Sequence, residues 1–212
     1  MKIGVLVAMD KEYEQLSHLS DERVVVMKTG MGKVNAAINT VRMIETYHPD
    51  VIVSSGCAGG AITDMEVMDV VVSSRVAYHD AYFGVEAKPR GRVQGMPLYF
   101  ETPAEFVEKA LKLPYEGTIH PGLIATGDWF VETPEKIKEI KEVHPEAIAI
   151  DMESAAIAQT CYIYNVPFVS FRVISDVPAK ENSVKDYTDF WSNVSDRSFA
   201  ITSHFLNSMF ND

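Results

Sequence analysis

Hydrophobic residues along this chain fall into short, dense runs separated by stretches of helical spacing. Lys2–Ala8 is a β-rich run (Ile3, Val5, Leu6, Val7) that ends at Met9-Asp10. A helix is predicted over Lys11–Leu19 with Asp10 at its start, then a strand over Arg23–Thr29, closed by Gly30-Met31-Gly32. From Lys33 to Tyr47 apolar residues recur at Val34, Ala37, Ile38, Val41 and Ile44, and His48-Pro49-Asp50 ends that helix. Val51–Ser55 reads as a buried strand, Gly56–Gly60 as a glycine-rich turn, and Val67–Val76 as another apolar run. Residues 77–101 are polar, aromatic and glycine-punctuated, the character of a long functional loop. Helices are then predicted over Pro103–Leu111, Pro134–Val143 and Met152–Tyr164, and strands over Gly122–Thr126, Ala147–Asp151 and Pro167–Ser175. One last helix is expected from Asp186 to Met209.

Most of the strands are continuous apolar runs rather than alternating ones. That predicts a central mixed, largely parallel sheet covered by helices on both faces, a three-layer α/β/α fold, in one domain spanning 1–212. In such sheets ligands bind beyond the carboxyl ends of the strands. The residues that follow the strands are Met9 to Glu12, Gly30-Met31-Gly32, Gly56-Cys57-Ala58-Gly59-Gly60, Gly127-Asp128-Trp129-Phe130-Val131, Asp151-Met152-Glu153, and Arg172 through Ser175-Asp176. Glycines, carboxylates, an arginine and an aromatic pair collect at one rim.

Composition narrows the possibilities. With 212 residues, 47% of them apolar, the chain can bury a sizeable core, which excludes a disordered protein. Its 19 basic and 30 acidic side chains leave a net charge of −11, which repels nucleic-acid backbones and anionic lipid. No apolar run approaches 18 residues, so neither a membrane span nor a signal peptide is expected. Cys57 and Cys161 are too few for a disulfide framework and read as reduced thiols in cytoplasm.

Several chemistries fail on detail. Gly30-Met31-Gly32-Lys33 has one residue between its glycines where a phosphate loop needs four, and Val34 follows the lysine in place of Ser or Thr. Asn35 stands where a dinucleotide fingerprint needs its third glycine. Cys57 lacks the glycine two residues upstream that a nucleophile elbow requires; Ser55 is there. The six histidines are scattered, only His79 lies in a candidate site loop, and no Cys/His pair has metal-ligand spacing. Tyr78-His79-Asp80 reads more readily as loop structure than as a site. The carboxylates say more. Glu12, Glu153 and Asp176 each follow a buried strand, where a carboxylate is costly unless paired or used, and Arg172 lies on the same strand as Asp176. Each has a structural alternative as a helix-start, turn or ion-pair residue. Two acids of opposite role suit cleavage of a glycosidic bond, with Trp129-Phe130 available to stack on a planar base.

The blocks at 1–12 (MKIGVLVAMDKE), 28–37 (KTGMGKVNAA), 54–60 (SSGCAGG), 125–131 (ATGDWFV), 149–158 (AIDMESAAIA) and 166–177 (VPFVSFRVISDV) together resemble the purine nucleoside phosphorylase/nucleosidase superfamily. More narrowly, they resemble its 5′-methylthioadenosine/S-adenosylhomocysteine nucleosidases. The most specific part is the Met152-Glu153 pair followed by Ser175-Asp176. The resemblance implies a nucleoside phosphorylase-like fold, hydrolysis that releases adenine, no metal or cofactor, a small purine nucleoside as ligand, and a homodimer. Carried over by position, it implies Glu12 as the base that activates water and Asp176 as the acid at the five-membered-ring nitrogen of adenine. Glu153 and the Met152 backbone hold the ribose hydroxyls, and Arg172 helps place the water. Gly59, Phe130 and Val131 form the base pocket, Met9 and Met31 the pocket for the 5′ substituent. Cys57 and Ser175 complete the substrate-binding set.

Related phosphorylases carry arginines shortly after the first strand and before the central glycines; Met9-Asp10-Lys11-Glu12 and Ser54-Ser55-Gly56 offer only Lys11. Water is therefore the expected nucleophile. This chain departs from the nucleosidases in three places. Cys57 replaces the usual serine, Ser20–Met27 is shorter than the family's segment, and residues 81–98, with Tyr82, Phe83 and Met96, do not follow the family segment that completes a neighbour's 5′ pocket. A nucleosidase for futalosine or adenosine, a phosphorylase, and a non-catalytic nucleoside-binding protein remain as alternatives.

Overall fold

The computed structural model describes residues 1–84, 89–180, 183–193 and 199–210. Among these residues eight strands form one mixed sheet: β1 (Ile3–Val7), β2 (Val24–Lys28), β3 (Val51–Gly60), β4 (Val70–Tyr78), β5 (Phe100–Glu101), β6 (Ile119–Thr126), β7 (Ala147–Asp151) and β8 (Phe168–Asp176). Their order is β2-β1-β3-β7-β6-β4-β5, and β8 pairs with both β3 and β4. The pairs β1–β2, β1–β3, β3–β8, β4–β6 and β6–β7 are parallel; β3–β7, β4–β5 and β4–β8 are antiparallel. The expected mixed, largely parallel α/β sheet is the fold observed.

The continuous apolar runs are explained by burial on both faces. Ile3, Val5 and Val7 of β1, Val51 and Val53 of β3, and Val169, Phe171 and Val173 of β8 point into one cluster. Their neighbours Leu6, Ile52, Phe168 and Ile174 point into another. Side chains alternate across a strand, so a run with no polar interruption serves two cores. The first core is covered by α1 (Asp10–Leu16), α3 (Ala104–Leu111), α6 (Ser183–Asn193) and α7 (Ala200–Ser208), the second by α2 (Lys33–Tyr47) and α5 (Ser154–Tyr164). Helix α4 (Pro134–Lys141) seals a smaller cluster through Ile137 and Ile140. Thr133 accepts from the Lys136 N–H and Pro134 opens the helix, the signals that start it there.

The structure departs from several expectations. Gly56–Gly60 is not a turn but the second half of β3, in parallel register with β8 as far as Asp176. Its glycines leave space that neighbours fill: a Cβ on Gly60 would meet Met65 Sδ at 3.1 Å. The C-terminal stretch is two helices, α6 and α7, because Phe190 of one and Phe199 and Phe205 near and within the other fold back into the same core; residues 194–198 lie outside the described set. Phe205 stacks on Phe171 of β8 at 5.0 Å. In α2 the buried residues are Ala36, Thr40, Met43 and Ile44, while Val34 and Ile38 of the apolar stripe are 69% and 52% exposed. Of the loop predicted over 77–101, residues 77–78 belong to β4 and 100–101 form β5, while 85–88 lie outside the described residues. Among the described residues no helix is long and apolar enough to cross a membrane.

Candidate active site

Strands β1, β2, β3, β6, β7 and β8 all lead residues to the same rim. The pocket there encloses about 630 Å³ of space, part of it open to solvent. Its wall includes Glu12, Glu153 and Asp176, with Met9, Met31, Cys57, Gly59, Phe130, Val131, Met152 and Ser175. All of the expected site residues except Arg172 therefore meet in one cleft; Arg172 lies buried close by. Among the described residues no Arg or Lys lines the cleft.

Glu12 sits in the first turn of α1, just past the end of β1, and is 3% exposed. Its Oε2 accepts from the backbone N–H groups of Ala8 (2.9 Å) and Met9 (3.0 Å), the acidic half of a helix-capping arrangement. Its Oε1 accepts from the Cys57 N–H at 3.0 Å, which ties the helix start to β3. Burial raises its pKa above the usual carboxylate range, against the pull of Arg172 and the three N–H donors. A carboxylate raised in this way is a stronger base than an exposed one.

Glu153 precedes α5 and reaches back to β2's exit loop: its Oε1 accepts from Gly32 N–H at 2.9 Å. Gly32 has φ of +88° and caps α2, a conformation open to glycine at little cost. Burial, then the nearby Asp151, pushes Glu153 up to about 7. Asp151 ends β7 and its Oδ2 pairs with Arg172 Nε at 2.8 Å, with both side chains almost wholly buried. The second guanidinium edge donates from Nη2 to the hydroxyls of Ser54 (2.8 Å) and Ser154 (3.1 Å). Ser175 donates to Asp176 Oδ1 at 2.7 Å at the end of β8.

Aromatic rings close the outer wall. Trp129 and Phe130 line the pocket, and Phe130 meets Tyr187 of α6 edge-on at 5.2 Å. Gly59 forms part of the floor; a Cβ there would lie 3.1 Å from Pro178 and 3.7 Å from Asp176 Oδ2. Burial, then the charge of Glu12, pushes the Cys57 thiol well above its ordinary value, so it is not poised as a thiolate. His79 is buried against Trp129 at 4.9 Å, with neither ring nitrogen hydrogen-bonded among the described residues. Burial drives it down to about 4, and it stays neutral. Asp80 accepts from Lys33 Nζ (2.5 Å) and Asp128 N–H (3.0 Å), a structural tie between α2 and the loop after β6.

Sequence reasoning places Asp151 and Ala58 in the rim segments without giving either a role, and does not reach Tyr187, Ala8 or Ile150. Asp151 carried a usable signal, a carboxylate directly after a buried strand, like the three acids that were chosen. Tyr187 carried none, since only the folding of α6 over β8 brings it to the rim. Beyond the pocket a groove continues along Met9, Lys11, Lys28, Met31, Tyr187 and Trp191. The arrangement brings three buried carboxylates and an aromatic pair to one pocket, the kinds of group that can break a bond between a sugar and a planar base. Among the described residues no group of three or more His, Cys, Asp and Glu side chains is set to hold a metal ion.

Comparison with known proteins gives the following likenesses. The model of a family described as the phosphorylase superfamily matches residues 13–207. The 5′-methylthioadenosine/S-adenosylhomocysteine nucleosidase of Hydrogenovibrio crunogenus is 36% identical over 206 residues, 87% of this chain and 89% of that one. The solved nucleosidase of the same name from S. pneumoniae, in complex with the transition-state inhibitor MT-ImmA, superposes with a TM-score of 0.88 at 30% identity, over 99% of this chain and 100% of that one. Futalosine hydrolase of Helicobacter pylori superposes with a TM-score of 0.86 at 25% identity, over 100% of this chain and 97% of that one.

Proposed function

Since the chain belongs to the phosphorylase superfamily, and within it to the 5′-methylthioadenosine/S-adenosylhomocysteine nucleosidases, we infer that it hydrolyses the N-glycosidic bond of these nucleosides and releases adenine. The observation that carries the reading is the convergence of three buried carboxylates, Glu12, Glu153 and Asp176, on one pocket beside Trp129 and Phe130. In this reading the purine stacks against Phe130 above Gly59 and Val131. The ribose hydroxyls donate to Glu153 beside the Met152 backbone, and the 5′ substituent runs between Met9 and Met31 into the adjoining groove. Water attacks C1′ as its bond to the purine nitrogen breaks. The electron pair of that bond leaves with the base, where a proton held by Asp176 on the five-membered ring stabilises it. Glu12 takes the proton of the attacking water, and Arg172, held beside it, helps place that water. Ser175 fixes the Asp176 carboxyl, and Cys57 orients Glu12 through its backbone N–H.

Water rather than phosphate is the nucleophile in this proposal because, among the described residues, the lining brings carboxylates and no cation. The exposed stripe of Met31, Val34 and Ile38 at the rim, with Tyr82 and Phe83 also exposed, supports a homodimer formed through this side of the molecule. The likeness to futalosine hydrolase supports a second reading in which the 5′ substituent is larger, and the groove beyond Met9 gives it room. The deciding experiment is chromatographic. Incubation with 5′-methylthioadenosine in phosphate-free buffer should release free adenine, at a rate that added phosphate does not change. S-adenosylhomocysteine, futalosine and adenosine run in parallel rank the substrates. Release that requires phosphate would make the protein a phosphorylase, and no release from any of them would refute the reading.

A further inference from the structure

Beneath the pocket lies a group of buried polar side chains larger than substrate contact requires. Asp151 Oδ1 accepts from the Thr126 hydroxyl at 2.6 Å and from the Ser154 N–H at 3.2 Å. Its Oδ2 accepts from Arg172 Nε at 2.8 Å and from the Ser154 hydroxyl. Ser154 in turn bonds Arg172 Nη2 at 3.1 Å and Ser170 at 2.7 Å. Ser170 N–H donates to Ser73, and Ser73 bonds Thr102. Every oxygen of Asp151 is occupied by a donor, and two edges of the guanidinium are held. The third nitrogen, Nη1, and Glu12 Oε1 both lie within 3 Å of the point that a Cβ on Gly56 would take. Among the described residues the ion pair of Arg172 is with Asp151, not with Glu12 or Glu153.

We propose that Asp151 is a positioning residue of the reaction: it clamps Arg172 edge-on below the pocket, so that the guanidinium acts on Glu12 and Glu153 through space instead of pairing with either. The consequence is electrostatic. One cation is shared among several acids, and the clamp commits it to the acid that does no chemistry. Glu12 is thereby left basic enough to accept a proton from water, although Arg172 is the nearest charge that opposes this. Among the described residues, Cys57 from β3, Glu153 at the start of α5 and Tyr187 from α6 also act on Glu12, and Asp176 from β8 lines the same pocket; none of them is a cation. Removing the charge of Asp151 releases Arg172 to Glu12 and Glu153, which lowers the pKa of both.

This inference rests on the nucleosidase reading, and its test separates the two. Asp151→Asn keeps the shape and removes the charge. The expected result with 5′-methylthioadenosine is a kcat at least about tenfold lower with KM within about twofold of wild type. The acid limb of the kcat/KM profile should move to lower pH by about one unit, since the base stays ionised further into acid. Asp151→Glu, which restores the charge, should return the limb towards its wild-type position. An active wild type whose acid limb is unmoved in Asp151→Asn overturns the clamp and leaves the nucleosidase reading standing; a wild type that releases adenine from no nucleoside overturns both. If Asp151→Asn does not yield folded protein, Ser154→Ala loosens the same clamp with all charges kept. The same fall in kcat and the same direction of shift are then expected, and an unmoved limb again overturns the proposal.

Discussion

The Cα of Gly56 stands against the carboxylate of Glu12: a methyl group added there would lie 2.6 Å from Oε1, and 2.9 Å from Nη1 of Arg172. Neither side chain can yield cheaply, because Glu12 is held by three backbone N–H groups and Arg172 by Asp151. Gly56→Ala should therefore cost about 1–3 kcal/mol of stability, as overpacking of a close-packed site does. It should cost more in activity, because the atoms displaced are those of the proposed base and of the guanidinium beside it. Adenine release measured beside a thermal melt checks both, and full turnover in Gly56→Ala would mean that Glu12 does not act from this position.

Asp176 and Glu12 are proposed for opposite ends of the broken bond, and their isosteric amides should fail in different ways. Asp176→Asn should lower kcat by roughly 10²–10⁴-fold with binding largely kept, the usual worth of a general acid or base. Glu12→Gln should bind substrate and not hydrolyse it, because the amide cannot take a proton from water. Substrate affinity of each variant, measured by calorimetry alongside turnover, separates lost chemistry from lost binding. Near-normal turnover in either one removes that residue from its role.

The strand Ala147–Asp151 and the helix over Lys33–Tyr47 were legible to the residue, because an unbroken apolar run and a regular helical spacing each leave few alternatives. Gly56–Gly60 reads as a turn because glycine usually marks one; at Gly56 the missing side chain instead makes room for Glu12 and Arg172, each more than forty residues away, which is a tertiary fact. The same limit hid the outward face of Val34 and Ile38, since spacing reports a stripe and not what covers it. The acids of the pocket were readable through their placement after buried strands. Asp151 obeyed that rule and was passed over, and the hydroxyls that hold it at Thr126 and Ser154 gave no sign along the chain.

Glu153 makes stability depend on pH. Its pKa is raised to about 7 from an ordinary 4.5, by burial first and by Asp151 second. The folded chain thus keeps this proton over a range in which the unfolded chain has lost it. Its contribution is most favourable at low pH and is lost as pH rises between about 4.5 and 7, a change on the order of 3 kcal/mol. His79 works in the opposite sense: buried and pushed down to about 4, it costs stability as pH falls below 6.5. The two oppose each other in a simple melt, so a difference measurement is needed. The Tm of Glu153→Gln relative to wild type should rise between pH 5 and pH 8, and a gap that does not change with pH would show that Glu153 is not the titrating group.

Cys57 is the residue whose chemistry is most open to misreading, since a thiol in an enzyme cleft suggests a nucleophile. Its surroundings argue otherwise. Burial raises its pKa well above 9, and the charge of Glu12, held by the residue's own N–H at 3.0 Å, raises it further. At neutral pH it is therefore a neutral thiol, and its contact with the proposed base is through the backbone N–H, which any residue at position 57 supplies. Iodoacetamide at pH 7.5 should leave adenine release unchanged over a time that alkylates an ordinary exposed thiol. Cys57→Ser should keep or raise activity, because a hydroxyl is the better hydrogen-bond donor to a water or sugar oxygen. Inactivation by both treatments would require a covalent role for the sulfur and would move the chemistry away from Glu12.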